Sequence, residues 1–431
     1  MILSLTVAFA QRPAYLTDTT QIVRFYKLME SRTPWLQPVL LQQLKHAYLQ
    51  LSGTDPAVSF FPIGFLDSII DGSRILRNEP DSIAADFRLT EASIRLFTTI
   101  HFGTGATPVA YDGIRASTSC IDITQQLVEA VHSGRIDSLT STLRPVNQLY
   151  RALHDTLKVL IRRAEDTGNI TLTFKVRQSM TGRIDALRKA LHTVQWMQCL
   201  LTDRCIVVNI PSATLHYYEQ EELLLSSRII AGKPSAPSGT LTSAIREIIL
   251  YPYWTVPAKI TRRELLPMIK RNPDFLEANG YQVLLNGKLI KTSSIDWNRY
   301  SSSYFPYTLR QSTGCDNSMG IIKLNFYSPY GIYLHDTPWK LLFNAPFRHL
   351  SHGCIRVEKV QELARLLLKE DSVALDAILQ KGDALNTTPT ILALKKPVVV
   401  VIVYETAWPD INGNVRYYKD IYQKRVEKQE R

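Results

Sequence analysis

The sequence predicts an α+β chain with its helices gathered in the first two hundred residues and its strands after them. Three observations lead there. Up to about residue 165 apolar residues recur at helical spacing, and from residue 204 they collect in short β-branched runs closed by proline or glycine. Between Trp254 and Pro306 the β character gives way to mixed signals and then resumes. With 431 residues, 45% of them hydrophobic, the chain can bury full cores in two or three domains.

The elements follow in order. Residues 1–10 are apolar and end in Ala8-Phe9-Ala10 before Gln11-Arg12, as a secretory signal-peptide remnant would, but without a basic n-region; a buried N-terminal segment is the plain alternative. Over 20–165, Tyr26, Leu28 and Met29, then Leu36, Val39, Leu40, Leu41 and Leu44, form stripes interrupted by Pro34 and Pro38. Thr90 reads as an N-cap for the run from Glu91 to Phe97. After Pro145, Val146, Leu149, Tyr150, Leu153, Leu157, Leu160 and Ile161 mark a long helix. Residues 166–203 read as a helical linker. Strands are expected over 205–210, 214–218, 223–230 and 244–250, with turns through 232–239. An insertion at about 257–306 holds a helix-like run from Arg262 to Ile269 and a hairpin from Tyr281 to Ile290 turning at Asn286-Gly287. The main β-rich domain is expected over 204–380. Val398 to Val403 reads as a buried strand, inside a C-terminal extension, 381–431, packing on the main β-rich domain and the helical domain.

The chemistry concentrates in Ser351-His352-Gly353-Cys354-Ile355-Arg356-Val357, with His335 nineteen positions before the cysteine. A thiol is a nucleophile only as thiolate, and a free cysteine titrates near ~8.5. An imidazole beside it can take the proton and leave a thiolate–imidazolium pair. Gly353 removes a side chain where the backbone nears a reacting carbonyl, so its N–H is an oxyanion-hole candidate. Val360, Leu363, Ala364, Leu367 and Leu368 recur at helical spacing, which places Cys354 just ahead of a helix whose N-terminus would favour the thiolate.

The pattern His335…Ser351-His352-Gly353-Cys354 resembles the signature of YkuD-type L,D-transpeptidase catalytic domains. The Tyr333-Leu334-His335-Asp336-Thr337 and Ile355-Arg356-Val357 versions resemble the large, multi-domain periplasmic subfamily. Val208-Asn209-Ile210-Pro211, Tyr251 to Pro257, Lys323-Leu324-Asn325-Phe326 and Val403 to Trp408 match as well, and 20–165 is similar to that subfamily's helical scaffold domain. The resemblance implies a mixed, mostly β catalytic domain with the insertion as a capping subdomain. The short passage from Gly168 to Trp196 leaves no room for the separate wall-binding module such enzymes often carry. It also implies roles: Cys354 as nucleophile, His335 as base with its second ring nitrogen on a backbone carbonyl, and Gly353 at the oxyanion. Tyr333, Ser351, His352, Arg356 and Trp254 are the candidates for substrate contact. Each has a plainer reading: core histidine for His335, pocket shaping for His352, a backbone-orienting hydroxyl for Ser351, pairing with Glu358 for Arg356, and ordinary core for Tyr333 and Trp254.

The activity implied is a cysteinyl acyl transfer. Peptidoglycan stem peptides are the partners, carbapenem-type β-lactams the covalent inhibitors, and the chemistry needs no metal or organic cofactor. A peptidoglycan L,D-peptidase, and a wall-binding scaffold protein with a vestigial cysteine site, are the rival readings. The net charge of +11 is dispersed among acidic residues, with no Lys/Arg run interleaved with aromatics, which argues against nucleic acid. It suits the carboxylates of stem peptides. Cys120, Cys199, Cys205 and Cys315 contain no Cys-x-x-Cys and read as four isolated reduced thiols, with pairing of Cys199 and Cys205 open. The expected location is the periplasm.

Overall fold

The computed structural model describes residues 19–423 except 32, 54–57, 73, 75, 77, 104–119, 167–173 and 202. The signal-remnant reading of 1–10 lies outside the described residues. The chain divides into two compact units, one formed by the helices up to Cys199 with Ala407–Tyr417, the other by Leu200–Thr406 and the chain from Tyr418.

The first unit is helical: α1 (Thr19–Met29), α2 (Pro38–Ser52), α3 (Ile63–Ile70), α4 (Glu79–Phe102), α5 (Ile123–Ser133), α6 (Ile136–Leu143), α7 (Gln148–Asp166) and α8 (Phe174–Leu201). The apolar stripes meet around Phe25, Trp35, Leu44, Leu89, Leu96, Phe97 and Leu127, each fully buried. Thr90 caps nothing. Helix α4 starts at Asn78, whose side chain accepts the Asp81 N–H at 2.9 Å, so Thr90 falls mid-helix. There its hydroxyl accepts the Trp35 indole N–H at 2.9 Å, while the buried Asp86 carboxylate takes the Tyr26 hydroxyl and the Trp35 amide, each at 2.7 Å. The stretch expected as a linker is largely the 28-residue α8, whose fully buried Leu187, Ala190, Val194 and Met197 make it part of this unit. Cys120 and Cys199 form a disulfide, which corrects the expectation of four reduced thiols; Cys205 is the buried thiol of a strand and Cys315 is exposed.

The second unit carries β1 (Arg204–Asn209), β2 (Thr214–Glu219), β3 (Glu222–Gly232), β4 (Leu241–Leu250), β5 (Trp254–Thr255), α9 (Ala258–Ile260), α10 (Leu266–Arg271) and α11 (Phe275–Ala278). It continues through β6 (Tyr281–Leu285), β7 (Lys288–Ile290), β8 (Thr308–Gln311), β9 (Ile322–Asn325), β10 (Leu334–His335), β11 (His349–Ser351) and β12 (Ile355–Val357). It ends with α12 (Val360–Leu368), α13 (Ser372–Gln380) and β13 (Thr390–Val403). Nine strands form one sheet in the order β11-β3-β12-β10-β9-β4-β13-β1-β2, and β2 pairs back onto β3. Residues 390–403, expected in an extension packed on the catalytic and scaffold domains, are instead a strand of this sheet. Strand β13 lies between β4 and β1, with Val398, Val400 and Ile402 fully buried in the core. Farther on, β14 (Ala407–Pro409) and β15 (Val415–Tyr417) form a hairpin that belongs to the helical unit.

The insertion has a sheet of its own, β5-β8-β6-β7, over a core of Val256, Leu266, Ile269, Leu276, Val283, Trp297 and Leu309. It runs from Trp254 to Gln311, slightly wider than 257–306. Its hairpin turns at Asn286 and Gly287, both at positive φ (51° and 81°), as a two-residue type I′ loop requires.

Candidate active site

Strand pairing assembles the site. Strand β10 runs parallel to β12 and antiparallel to β9, so His335 registers between Arg356 on one side and Lys323 on the other. The Ile355 N–H donates to the Tyr333 carbonyl at 3.1 Å, which brings Tyr333 alongside Cys354. Tyr333, His335, Cys354 and Arg356 all line a cavity of about 710 Å³, together with Trp254, Ser351 and His352. The capping subdomain contributes Lys259, Ile260, Arg263, Glu264, Leu265 and Tyr281 to the same lining. A second cavity of about 320 Å³, lined by Pro237–Thr240 and Ile332, also reaches Cys354, Gly331 and His352.

Two hydroxyls hold the turn bearing Cys354. Ser351 Oγ accepts the Gly353 N–H at 3.1 Å and donates to the Cys354 carbonyl at 2.5 Å. The Gly353 carbonyl accepts from Ser238 Oγ at 2.7 Å. Gly353 sits at φ 117°, a conformation L side chains rarely adopt, and this explains the glycine better than any contact, since an added Cβ would come no closer than 3.6 Å to Pro237 O. Two expectations change. The Gly353 N–H is engaged by Ser351 instead of being held for an oxyanion. Ser351, 2% exposed, spends its hydroxyl on the backbone, the plainer of its two readings.

A third expectation changes too. Strand β12 intervenes between Cys354 and α12, so the thiol does not directly precede that helix. Burial pushes the Cys354 thiol up, opposed by hydrogen bonds from Tyr333 and by the positive charges of Lys323 and Arg356. Burial drives His335 down to about 3, aided by the Arg356 and Lys323 charges, although the Asp336 and Met319 backbone favours its protonation. Burial thus favours the neutral imidazole, and it favours the neutral thiol against those two charges. His335 is 5% exposed, and its Nδ1 makes no hydrogen bond of good geometry. The neighbouring Asp336 carboxylate serves elsewhere, pairing with Lys340 and accepting the Ile321 N–H at 3.2 Å.

The remaining candidates separate cleanly. Glu358 pairs with Arg228, so the structural partner expected for Arg356 is taken. Arg356 instead stacks 5.0 Å from the centre of the Trp339 ring, with its buried Nε unpartnered. Trp254 walls the cavity and hydrogen-bonds Tyr333. His349 is buried and bonded to the Ile210 carbonyl at 2.8 Å, a core histidine. Sequence reasoning missed Lys323, whose Nζ lies 4.5 Å from the centre of the Tyr333 ring; only its place inside a matched segment drew notice. It also missed Lys233 and Glu264, which bracket His352 at 3.2 and 3.0 Å.

Residues 203–400 match the family model of the YkuD L,D-transpeptidase catalytic domain, and residues 20–157 match that of the scaffold domain. A Haemophilus influenzae protein named "Putative L,D-transpeptidase" is 33% identical over 310 residues, 70% of this chain. The chain spans 58% of that relative's length. Among solved structures, an L,D-transpeptidase from Mycobacterium smegmatis aligns over 46% of this chain and 58% of its own, at 13% identity and a TM-score of 0.23. An Enterococcus faecium L,D-transpeptidase mutant aligns over 52% and 63%, at 10% identity and a TM-score of 0.19. The two domain matches, in the order helical unit then β unit, show that this chain joins a scaffold domain to a YkuD L,D-transpeptidase catalytic domain.

Proposed function

We propose that this protein is a periplasmic L,D-transpeptidase that builds peptidoglycan crosslinks through a thioester on Cys354. His335 takes the thiol proton as sulfur attacks the carbonyl at the L-centre of diaminopimelate in a tetrapeptide stem. Collapse of the tetrahedral adduct breaks the bond to the terminal D-alanine, whose amine receives the proton from His335. The side-chain amine of a second stem then attacks the thioester, loses a proton to His335 and regenerates the thiol. The observation that carries this reading is that Cys354 is reached from two cavities, as a two-substrate transfer needs. The Arg356 side chain in the larger one, whose buried Nε has no hydrogen-bond partner, suits a substrate carboxylate. The Cys120–Cys199 disulfide supports an oxidising compartment.

Incubation with a disaccharide-tetrapeptide, followed by mass spectrometry, tests the proposal. Crosslinked dimer with freed D-alanine is expected. Tripeptide without dimer would replace it with the peptidase reading, and no product together with no carbapenem adduct on Cys354 would leave the vestigial scaffold.

A further inference from the structure

Beside the nucleophile stands a cluster to which the transfer chemistry gives no part. His352, two residues before Cys354, has its Nε2 at 3.0 Å from Glu264 Oε1 and 3.2 Å from Lys233 Nζ. Lys233 is anchored there, because its backbone N–H donates to the Ser351 carbonyl at 2.9 Å. Glu264 comes from the capping subdomain, on the π-helical turn Thr261–Leu265, a wide turn frequent at functional sites.

One ring nitrogen cannot satisfy both neighbours. If Nε2 carries its hydrogen it donates to Glu264 and cannot accept from Lys233; without the hydrogen the reverse holds. With the hydrogen on Nε2, the Lys233 ammonium has no acceptor on the ring. A carboxylate placing one oxygen on Nε2–H and the other on the Lys233 ammonium would supply it. The charge of the larger cavity points the same way: its lining carries Lys233, Lys259, Arg263 and Arg356 against Glu264 as the one carboxylate. The His352 and Glu264 side chains are 38% and 47% exposed, and a pair so exposed is weakly held, so an incoming carboxylate displaces it at little cost.

We propose that Lys233 and His352 form a carboxylate subsite for the donor stem peptide, in which Glu264 of the capping subdomain is a stand-in for the substrate group. The inference rests on the transpeptidase reading above and deepens it. Substrate that takes the subsite also unties the cap from the turn carrying Cys354, so donor binding and cap position are linked.

The test is calorimetric binding to full-length protein carrying Cys354→Ala, so that nothing turns over. The probes are a diaminopimelate tetrapeptide with all carboxylates free and its singly amidated forms. One amidated form should bind about tenfold more weakly, the worth of a charge-assisted hydrogen bond. Adding Lys233→Met should weaken the free acid by a similar factor and erase that difference. Adding Glu264→Gln, which keeps the shape of the side chain, should tighten the free acid severalfold. Equal affinity for every form in every variant would overturn the subsite and leave the transpeptidase reading standing. An amidation effect that survives Lys233→Met would also overturn it, assigning the carboxylate to Arg356. If no form binds any variant, the transpeptidase reading falls and the subsite with it.

Discussion

Arg356 and Lys323 flank His335 in adjacent strands, and burial together with their positive charges disfavours its imidazolium. Burial also favours the protonated Cys354 thiol, against the same two charges. As the proposed base, His335 takes the thiol proton during attack. His335→Ala should lower carbapenem acylation of Cys354 on the order of 10²-fold near pH 7, with part of the rate recovered as pH rises and the thiol ionises unaided. Mass spectrometry of the adduct over time checks this; an unchanged rate at pH 7 would make His335 structural. Lys323 acts on the other partner, because its charge stabilises the thiolate. Lys323→Met should move the pH midpoint of Cys354 alkylation by iodoacetamide upward, and Lys323→Arg should restore most of it. A merely structural lysine would change the melting temperature and leave the midpoint where it was.

At the scale of elements, α4 and the capping subdomain each carry a measurable consequence. Asp86 on α4 is buried against Tyr26 and Trp35, and burial raises its carboxyl to about 6, above its ordinary 3.8. A raised folded-state value means that the proton is held more tightly folded than unfolded. The associated stability is complete below the unfolded value and is lost as pH rises through about 6. Asp86→Asn removes this titration and puts an amide donor against the Trp35 N–H. The melting-temperature gap between parent and variant should therefore be larger at pH 5 than at pH 7.5. For the cap, a Gly/Ser linker in place of Arg262–Trp297 should leave acylation by a small β-lactam largely intact, since Cys354, His335 and the Ser351 hydrogen bonds lie in the main sheet. The same variant should produce less crosslinked dimer relative to tripeptide, because water then competes freely for the thioester. A folded variant that melts cooperatively and keeps the parental ratio would deny the cap this gating role.

At the scale of the whole molecule, covalent and sheet closure bring distant stretches of chain together. The Cys120–Cys199 disulfide bridges a sequence separation of 79 residues within the helical unit. Replacing both cysteines by serine should cost about 2–4 kcal/mol, seen as a lower melting temperature, while acylation of Cys354 at 25 °C persists. Strand β13 does by hydrogen bonds what the disulfide does covalently, carrying residues 390–403 into the middle of the sheet.

The sequence by itself determined the α+β division, the helical region followed by the mostly β domain, the type I′ hairpin of the insertion, and Cys354 with His335. These signals are local: side-chain periodicity, turn chemistry and a short motif each reside in neighbouring residues. Thr90 was misread because an N-cap and a buried mid-helix threonine look alike until Trp35 is seen against it. The disulfide, the central place of β13, the strand between Cys354 and the next helix, and the engagement of the Gly353 N–H were decided only by tertiary structure. So were Lys323 beside His335 and the Lys233–His352–Glu264 cluster. The disulfide and the Lys233–His352–Glu264 cluster depend on which residues meet across 79, 88 and 119 positions of sequence, and no local pattern encodes such a meeting. Strand register and chain closure create it, and with it the burial and charge around Cys354 and His335.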